Sequence, residues 1–290
     1  SNPGSGGLIG RVEGATTSLS NCYATGSSLT SDNGANLGGL IGTLNDASID
    51  NCYAMGDLYN NADEIGGLVG YMNGSASISN SYATGDVLLA QDHGGGLIGW
   101  ANTTGTITNS WASGDVRVSG ANTGGFIGYL QDGDISDSFS MGNIQADGAG
   151  AYVGGFVGQS AAGNTIDRAY ATGDVTMITG AYDVGGFAGY TQSTINNSYA
   201  TGSVYAGVNN VGGFVGTNIG TISDSYSKGA VFGAMAETGG FVGYHNSGAI
   251  NRSYAFGDVS GGSNAGGFAG TINSTATVDD SYNINHVKGV

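Results

Sequence analysis

Two short phrases recur in step along the whole chain and restrict the folds open to it. The first is a glycine pair with an apolar residue after it, as in Gly66-Gly67-Leu68-Val69-Gly70. The second ends in a small–aromatic–small run, as in Asn80-Ser81-Tyr82-Ala83-Thr84-Gly85. The glycine pairs open at Gly6, Gly38, Gly66, Gly95, Gly124, Gly154, Gly185, Gly212, Gly239 and Gly266. A period of this length indicates a repeat architecture in which each copy packs on its neighbours.

The residues between the phrases favour short strands over helices. They are rich in Val, Ile, Thr and Tyr and are interrupted by Gly, which is typical of strands broken by turns. A unit of this length is too short for a four-stranded propeller blade. We therefore predict an all-β fold, a single parallel β-solenoid domain over residues 1–290, with about ten stacked coils and roughly three short strands per coil.

Stacking in register places equivalent side chains of successive coils about 4.8 Å apart, in columns. Three apolar columns, which include Leu68, Ile78 and Val87, are expected to fill the core. In the first of these columns leucine gives way once to phenylalanine, from Phe126 onwards. The column that contains Asn80 also holds charges of both signs, so it should face water. A corner is then expected near Ser79, because its column holds turn-forming residues.

The aromatic residue of the second phrase defines the candidate binding surface. Because strand side chains alternate between faces, we expect an external aromatic ladder, although a slip of one residue would turn it inward. Exposed aromatic rows can stack on sugars or contact a protein, and they can also simply stabilise their own coils. The candidate binding residues are Tyr23, Tyr53, Tyr82, Trp111, Tyr170, Tyr199, Tyr226 and Tyr254. A second outward set is expected at Tyr71, Trp100, Tyr129, Tyr190 and Tyr244.

The charge balance excludes several classes of partner. Asp and Glu number 22 against 6 Lys and Arg, and the formal net charge is −16. A phosphate backbone or an anionic membrane surface would be repelled, so we expect neither nucleic acid binding nor membrane insertion. No apolar run is long enough for a membrane-spanning helix.

No residue cluster predicts catalysis or a metal centre. The histidines His93, His245 and His286 share no repeat position and are expected in solvated loops. Local excesses of acid at Asp63-Glu64, Asp92-His93 and Asp132-Gly133-Asp134 are expected at turns. We therefore predict that the chain is not an enzyme and has no catalytic or metal-binding residues.

Two repeated positions leave alternatives open. An acid follows the bend glycine at Asp57, Asp86, Asp115, Asp174 and Asp258. Hydrogen bonds between each Asp and the backbone of its own turn explain these acids. Bound calcium is the alternative, and no other cofactor is expected. Cys22 and Cys52 share one column in the first two coils. Their spacing near 4.8 Å lies at the edge of disulfide geometry, which slightly favours unbonded thiols.

The two phrases resemble the GLUG-repeat family, named for Gly-Leu-hydrophobic-Gly, in nearly every copy. That resemblance implies a secreted or surface location in bacteria, in a structural or adhesive segment of a longer protein. It carries over no functional residue, because the peptidases among such proteins have their chemistry in another domain. The change from leucine to phenylalanine departs from the motif but keeps the column apolar.

We therefore expect a structural and adhesive segment, a stiff rod that presents repeated surface columns. The alternative is a carbohydrate-binding module that uses the aromatic ladder, and the third option is a polysaccharide-degrading enzyme. The expected partners are a host or matrix glycan or protein, or neighbouring copies of the chain, since open solenoid edges invite strand pairing.

Overall fold

The described strands lie in four parallel sheets that run along the whole molecule. The computed structural model describes residues 4–26, 36–88, 90–147, 152–177, 179–180 and 182–289. Each coil enters sheet A, passes through sheet B and its corner into sheet C, and leaves through sheet D. Apart from one shift between Ile98–Thr108 and Ile127–Ser136, the described pairings between neighbouring coils join equivalent residues, as Tyr53, Tyr82 and Trp111 show.

The strand bounds repeat from coil to coil. Sheet A contains Gly4–Gly6, Asn36–Gly38, Glu64–Gly66, His93–Gly95, Asn122–Gly124, Tyr152–Gly154, Asp183–Gly185, Asn210–Gly212, Glu237–Gly239 and Asn264–Gly266. Sheet B contains Ile9–Glu13, Ser18–Ser20, Ile41–Asn45, Ser48–Asp50, Val69–Gly74, Ser77–Ser79, Ile98–Thr108, Ile127–Ser136, Val157–Ser160, Thr165–Asp167, Ala188–Thr191, Thr194–Asn196, Val215–Asn218, Thr221–Ser223, Val242–His245, Gly248–Asn251, Ala269–Ile272 and Ala276–Asp279.

The remaining two sheets are built from shorter strands. Sheet C contains Tyr23–Ala24, Tyr53–Ala54, Tyr82–Ala83, Trp111–Ala112, Phe139–Ser140, Tyr170–Ala171, Tyr199–Ala200, Tyr226–Ser227, Tyr254–Ala255 and Tyr282–Asn283. Sheet D contains Leu58–Tyr59, Val87–Leu88, Val116–Val118, Ile144–Ala146, Val175–Met177, Val204–Ala206, Val231–Gly233, Val259–Gly261 and Val287–Gly289. With ten described strands in sheet C and nine in sheet D, the predicted all-β parallel solenoid of about ten coils is confirmed.

The glycine pair allows the backbones of sheets A and B to touch. A Cβ atom placed on Gly66 would overlap the carbonyl oxygen of Val69, and one on Gly67 would overlap that of Gly96 in the next coil. Sheet A therefore divides the interior into two cores. The larger core lies beneath sheets B and C and includes Leu68 and Ile78, while the smaller one packs Ile65 against Val87 of sheet D.

The phenylalanine column stacks as the sequence predicts. Phe126, Phe156, Phe187, Phe214 and Phe241 are fully buried. Their ring centroids, and that of Phe268 beyond them, lie 4.6 to 5.0 Å apart. This spacing matches the distance between neighbouring parallel strands. The rings therefore stack at the separation that the sheets impose.

The corner of each coil lies one residue later than Ser79, where the sequence placed it. Ser79 is still in its strand, and Asn80 makes the turn with a φ of 49°. All ten residues of this column have φ between 46° and 55°: Asn21, Asn51, Asn80, Asn109, Asp137, Arg168, Asn197, Asp224, Arg252 and Asp280. Asn and Asp tolerate this left-handed conformation better than other non-glycine residues, which explains their frequency here.

Candidate functional site

The aromatic residues of the second phrase form one continuous ladder on the outer side of sheet C. Nine successive ring pairs, from Tyr23 to Tyr282, have centroids 4.4 to 5.9 Å apart and planes within 18° of parallel. The ladder joins all eight candidate residues, and it also includes Phe139 and Tyr282. Its members are half-buried, except Tyr23 and Tyr282 at the two ends, which are exposed.

This geometry determines what the ladder can offer a ligand. Each inner ring has a neighbouring ring on both faces, so only its edge, with the hydroxyl group of each tyrosine, is left to face solvent. Burial raises the pKa of the Tyr170, Tyr226 and Tyr254 hydroxyls above its ordinary value. Lys228 lies 5.0 Å from the centroid of the Tyr226 ring, which adds a cation–π contact.

A buried serine ladder lies beside the aromatic one and ties each coil to the next. The amide of Ser81 donates to Ser110 Oγ at 3.2 Å, and Ser81 Oγ donates to the carbonyl of Ser79 at 2.6 Å. The cysteines occupy the same positions in the first coils. The amide of Cys22 donates to Cys52 Sγ at 3.4 Å. Both cysteines are free thiols.

The acids after the bend glycine act on the backbone of the following coil. Asp57 Oδ1 accepts the amide of Asp86 at 3.0 Å, and Asp86 Oδ1 accepts that of Asp115 at 2.8 Å. The same bond joins Asp174 to Ser203 at 2.7 Å. These bonds join neighbouring coils, whereas the sequence predicted that the acids bond within their own turns. Among the described residues, no group of three or more His, Cys, Asp or Glu side chains could hold a metal ion.

Two arginines in the corner column pair with aspartates one coil before them. Arg168 Nε and Nη2 donate to Asp137 at 2.6 and 2.7 Å, and Arg252 contacts Asp224 in the same way at 2.7 and 2.6 Å. These contacts hold the pKa of both aspartates below its ordinary value. Exposed ion pairs of this kind add little stability. They show that equivalent positions of neighbouring coils are aligned at the corner.

A polar seam runs along the line where the outer sides of sheets A and B meet. Sheet A contributes Asn36, Glu64, His93, Asn122, Tyr152, Asp183, Asn210 and Glu237, and sheet B contributes Thr43, Tyr71, Trp100, Tyr129, Gln159, Tyr190, Thr217 and Tyr244. Of the charged residues described, only Glu64 and Asp183 are buried. Burial raises the pKa of Glu64 to about 7 and that of Asp183 to about 6.

Near Glu64, several buried polar atoms of the seam lack a hydrogen-bond partner. Asp183 accepts bonds from Asn210 at 2.6 Å and from Thr217 at 2.7 Å. In contrast, His93 Nδ1, Trp100 Nε1 and Asn122 Oδ1 are buried without a hydrogen-bond partner. These atoms are inaccessible, so the seam offers no surface for docking a ligand.

The expectation of solvated loops is wrong for two of the three histidines. His93 begins a strand of sheet A and packs beside the neighbouring rings of Trp100 and Tyr129, with centroids at 5.2 and 5.6 Å. His245 is fully buried, and its ring contacts Asn218 and the carbonyl of Thr277. Burial lowers the pKa of both histidines. Polar partners offset the cost of burying the His245 ring, whereas aromatic rings surround His93 and His286 is exposed as expected.

The acidic residues that interrupt the repeat were expected at turns, but they too are not confined to turns. Glu64 begins a strand of sheet A, and Asp132 and Asp134 lie within the strand Ile127–Ser136. That strand shifts register against Ile98–Thr108, with a bulge near Asn102. The bulge absorbs the difference in length between two coils, so the extra acids mark an irregularity in the stacking.

The outer side of sheet D carries an aromatic groove that sequence reasoning missed. Tyr205 and Phe232 are each 43% exposed, and their rings stack 4.8 Å apart with planes 4° from parallel. A recess of about 390 Å³ surrounds them and reaches Thr176 and Ser260. Among the described coils, only one neighbouring pair carries stacked rings at this position, so the repeat did not predict the groove. In the sequence, the rings could be found only as the outward residues that follow the third apolar column.

Comparison with known proteins identifies the repeat but supplies no close relative. The family model described as the GLUG motif matches residues 1–30, 33–59, 61–88 and 180–205. No curated protein and no solved structure matches the chain. Within the described residues, no helix is both long and apolar enough to cross a membrane.

Proposed function

From this β-solenoid of GLUG repeats we propose a stiff structural segment of an extracellular bacterial protein, which presents repeated surface columns for adhesion. The segment is a rod without catalytic activity, in a secreted or cell-surface protein. Its partners are a host or matrix glycan or protein, or neighbouring copies of the chain.

The unbroken stacking of equivalent residues is the observation that carries this proposal. The sheets hold successive coils together through backbone bonds, and the serine and aspartate columns add side-chain bonds at two corners. A stack that is bonded in this way on several sides resists bending and repeats the same chemistry at every coil. Such a surface can engage several copies of a weak ligand at once, which raises avidity without any single strong site.

The adhesive role can be tested with coated beads. We expect beads that carry the folded chain to adhere to immobilised extracellular-matrix glycans and proteins more strongly than beads coated with the heat-unfolded chain. Loss of adhesion as the coating density falls would show that several contacts are required. Equal adhesion of both coatings, or none, would contradict an adhesive surface and leave only a spacer.

A second candidate function is glycan binding by the aromatic ladder, because its hydroxyl groups and ring edges lie on the outer surface. We expect Tyr82→Ala and Trp111→Ala to weaken binding to any glycan that the parent recognises on an array. Tyr59→Ala is the control, because it removes an exposed ring on sheet D, outside the ladder. An array on which the parent binds nothing would eliminate this candidate.

A further inference from the structure

The two-ring stack on sheet D differs from the long ladder because its outer ring faces are free of other rings. Thr176, Tyr205, Phe232 and Ser260 are successive members of one outward column. Each ring covers one face of the other. The second face of Tyr205 therefore points towards Thr176, and that of Phe232 points towards Ser260. At both places a small hydroxyl side chain stands where another ring would continue the stack.

The recess around these rings has the shape of a ligand groove. Its volume of about 390 Å³ lies within the range of small-molecule sites. Small residues line it beside the rings: Ala206, Gly207, Gly233 and Ala234. A second recess of about 420 Å³ shares Phe232 and Ser260 with the first and extends to Asp258, His286 and Lys288. The two together form a groove along the solenoid axis with apolar walls and a polar end.

These features select a ligand with an apolar face and a hydroxyl-bearing edge. The free ring faces offer apolar, electron-rich surface, and the hydroxyls of Thr176 and Ser260 can both donate and accept at the edge of an inserted ring. A pyranose ring has this combination. A net charge of −16, with Asp258 at the groove, disfavours anionic sugars.

We propose that this groove, defined by Thr176, Tyr205, Phe232 and Ser260, is a binding site for neutral glycans. A sugar ring continues the stack over Tyr205 or over Phe232, and the groove at Asp258 accommodates the next sugar of the chain. The inference refines the glycan-binding candidate by moving it from the ladder on sheet C to sheet D. The proposed role as a rod does not depend on it.

Titration calorimetry with neutral hexasaccharides of glucose, mannose, xylose and N-acetylglucosamine tests the groove. We expect the parent to bind at least one of them, and Tyr205→Ala or Phe232→Ala to weaken that binding tenfold or more. Adding rings at both ends of the stack, with Thr176→Tyr and Ser260→Tyr in one chain, should also weaken it at least tenfold, because the added rings occupy both places open to the sugar. Tyr59→Ala removes an exposed ring from the same column outside the groove, so it should change binding less than twofold.

The outcomes separate this inference from the others. Circular dichroism melts confirm folding of the variants, and the variant with both added rings should melt no lower than the parent because its rings extend the stack. Binding that survives in all three groove variants but is lost in Tyr82→Ala and Trp111→Ala would overturn the groove and support the ladder. A parent that binds none of the four hexasaccharides would overturn both glycan sites, and the rod would stand.

Discussion

Ser81 shows how a single side chain can replace backbone pairing at a sharp corner. The left-handed turn at Asn80 interrupts the regular strand, and the hydroxyl of the next coil accepts the amide that follows the turn. Cysteine performs the same role in the first coils with a longer bond to sulfur. A buried amide needs such a partner, because leaving one unsatisfied costs about 1–3 kcal/mol.

Ala169 is the one inner residue of this column, between Ser138 and Ser198, that has no hydroxyl or thiol. We expect Ala169→Ser to raise the free energy of unfolding by about 0.5–1.5 kcal/mol, since its hydroxyl would accept the amide of Ser138. Urea unfolding measures the change. Ala188→Ser, at a buried position outside the ladder, should destabilise the chain. A loss of stability in Ala169→Ser would show that the ladder adds nothing.

Glu64 makes stability depend on pH. Its pKa is raised from 4.5 to about 7 by burial and then by the charges of Asp63 and Asp92. The folded state therefore disfavours the ionised form. The penalty is absent below pH 4.5, grows as the pH rises towards 7, and is complete above it. Each pKa unit corresponds to about 1.4 kcal/mol, so the penalty reaches at most about 3 kcal/mol.

We expect Glu64→Gln to melt higher than the parent at pH 8 and at the same temperature at pH 4. Thermal melts across this range measure the difference. Glu237→Gln, in the same column but half-buried, is the matched control for loss of a carboxylate. A parallel shift of the Glu64→Gln melt at every pH would mean that packing, not ionisation, explains it.

At the scale of the strand, the glycine pair decides how the two cores are separated. In sheet A and the start of sheet B, the backbones approach so closely that no side chain fits at the paired positions. The sequence showed that glycine and the apolar residue after it recur in every coil, but it did not predict that the glycines bring two backbones into contact. Asn80 was harder to place, since Ser79 is also a turn-forming residue and only the backbone angle distinguishes them.

We expect Gly96→Ala to destabilise the fold by well over 1 kcal/mol, because the added Cβ would overlap the carbonyl oxygen of Gly125. Denaturant unfolding measures the loss. Gly26→Ala is the matched control, since a Cβ there meets no atom within 4 Å. Similar stability in the two variants would contradict the close backbone contact.

Other features escaped prediction because they are not periodic. The groove at Tyr205 and Phe232 depends on two adjacent coils that happen to carry rings on one outward position. His245 is buried because its column becomes polar in the later coils, where Ser160, Thr191 and Asn218 precede it. A column-by-column alignment would have shown that polarity. The periodic phrases identify the fold, whereas the departures from them identify the candidate sites.

At the scale of the whole molecule, each coil is an interchangeable unit. Gly66 and Gly95 are aligned neighbours in sheet A, so deletion of residues 66–94 joins Ile65 to Gly95 in the original register. We expect this variant to fold into a solenoid one coil shorter, with Trp111 stacked on Tyr53. Circular dichroism and melting measure the result. Deletion of only residues 66–79 breaks the register and should melt far lower. Equal loss of structure in both would contradict the modular view.

The serine and aspartate columns point in opposite directions across a coil boundary. An amide at one corner donates forward to the next coil, as Ser81 does to Ser110, and an amide at another donates back, as Asp115 does to Asp86. Coils that carry both side chains can consequently meet with both kinds of contact complete, whereas Ala169 and Ala230 each leave one contact out. The length of the rod is therefore set by the number of coils. Recombination that adds or removes whole repeats changes how far the protein extends and leaves the contacts between coils as they are.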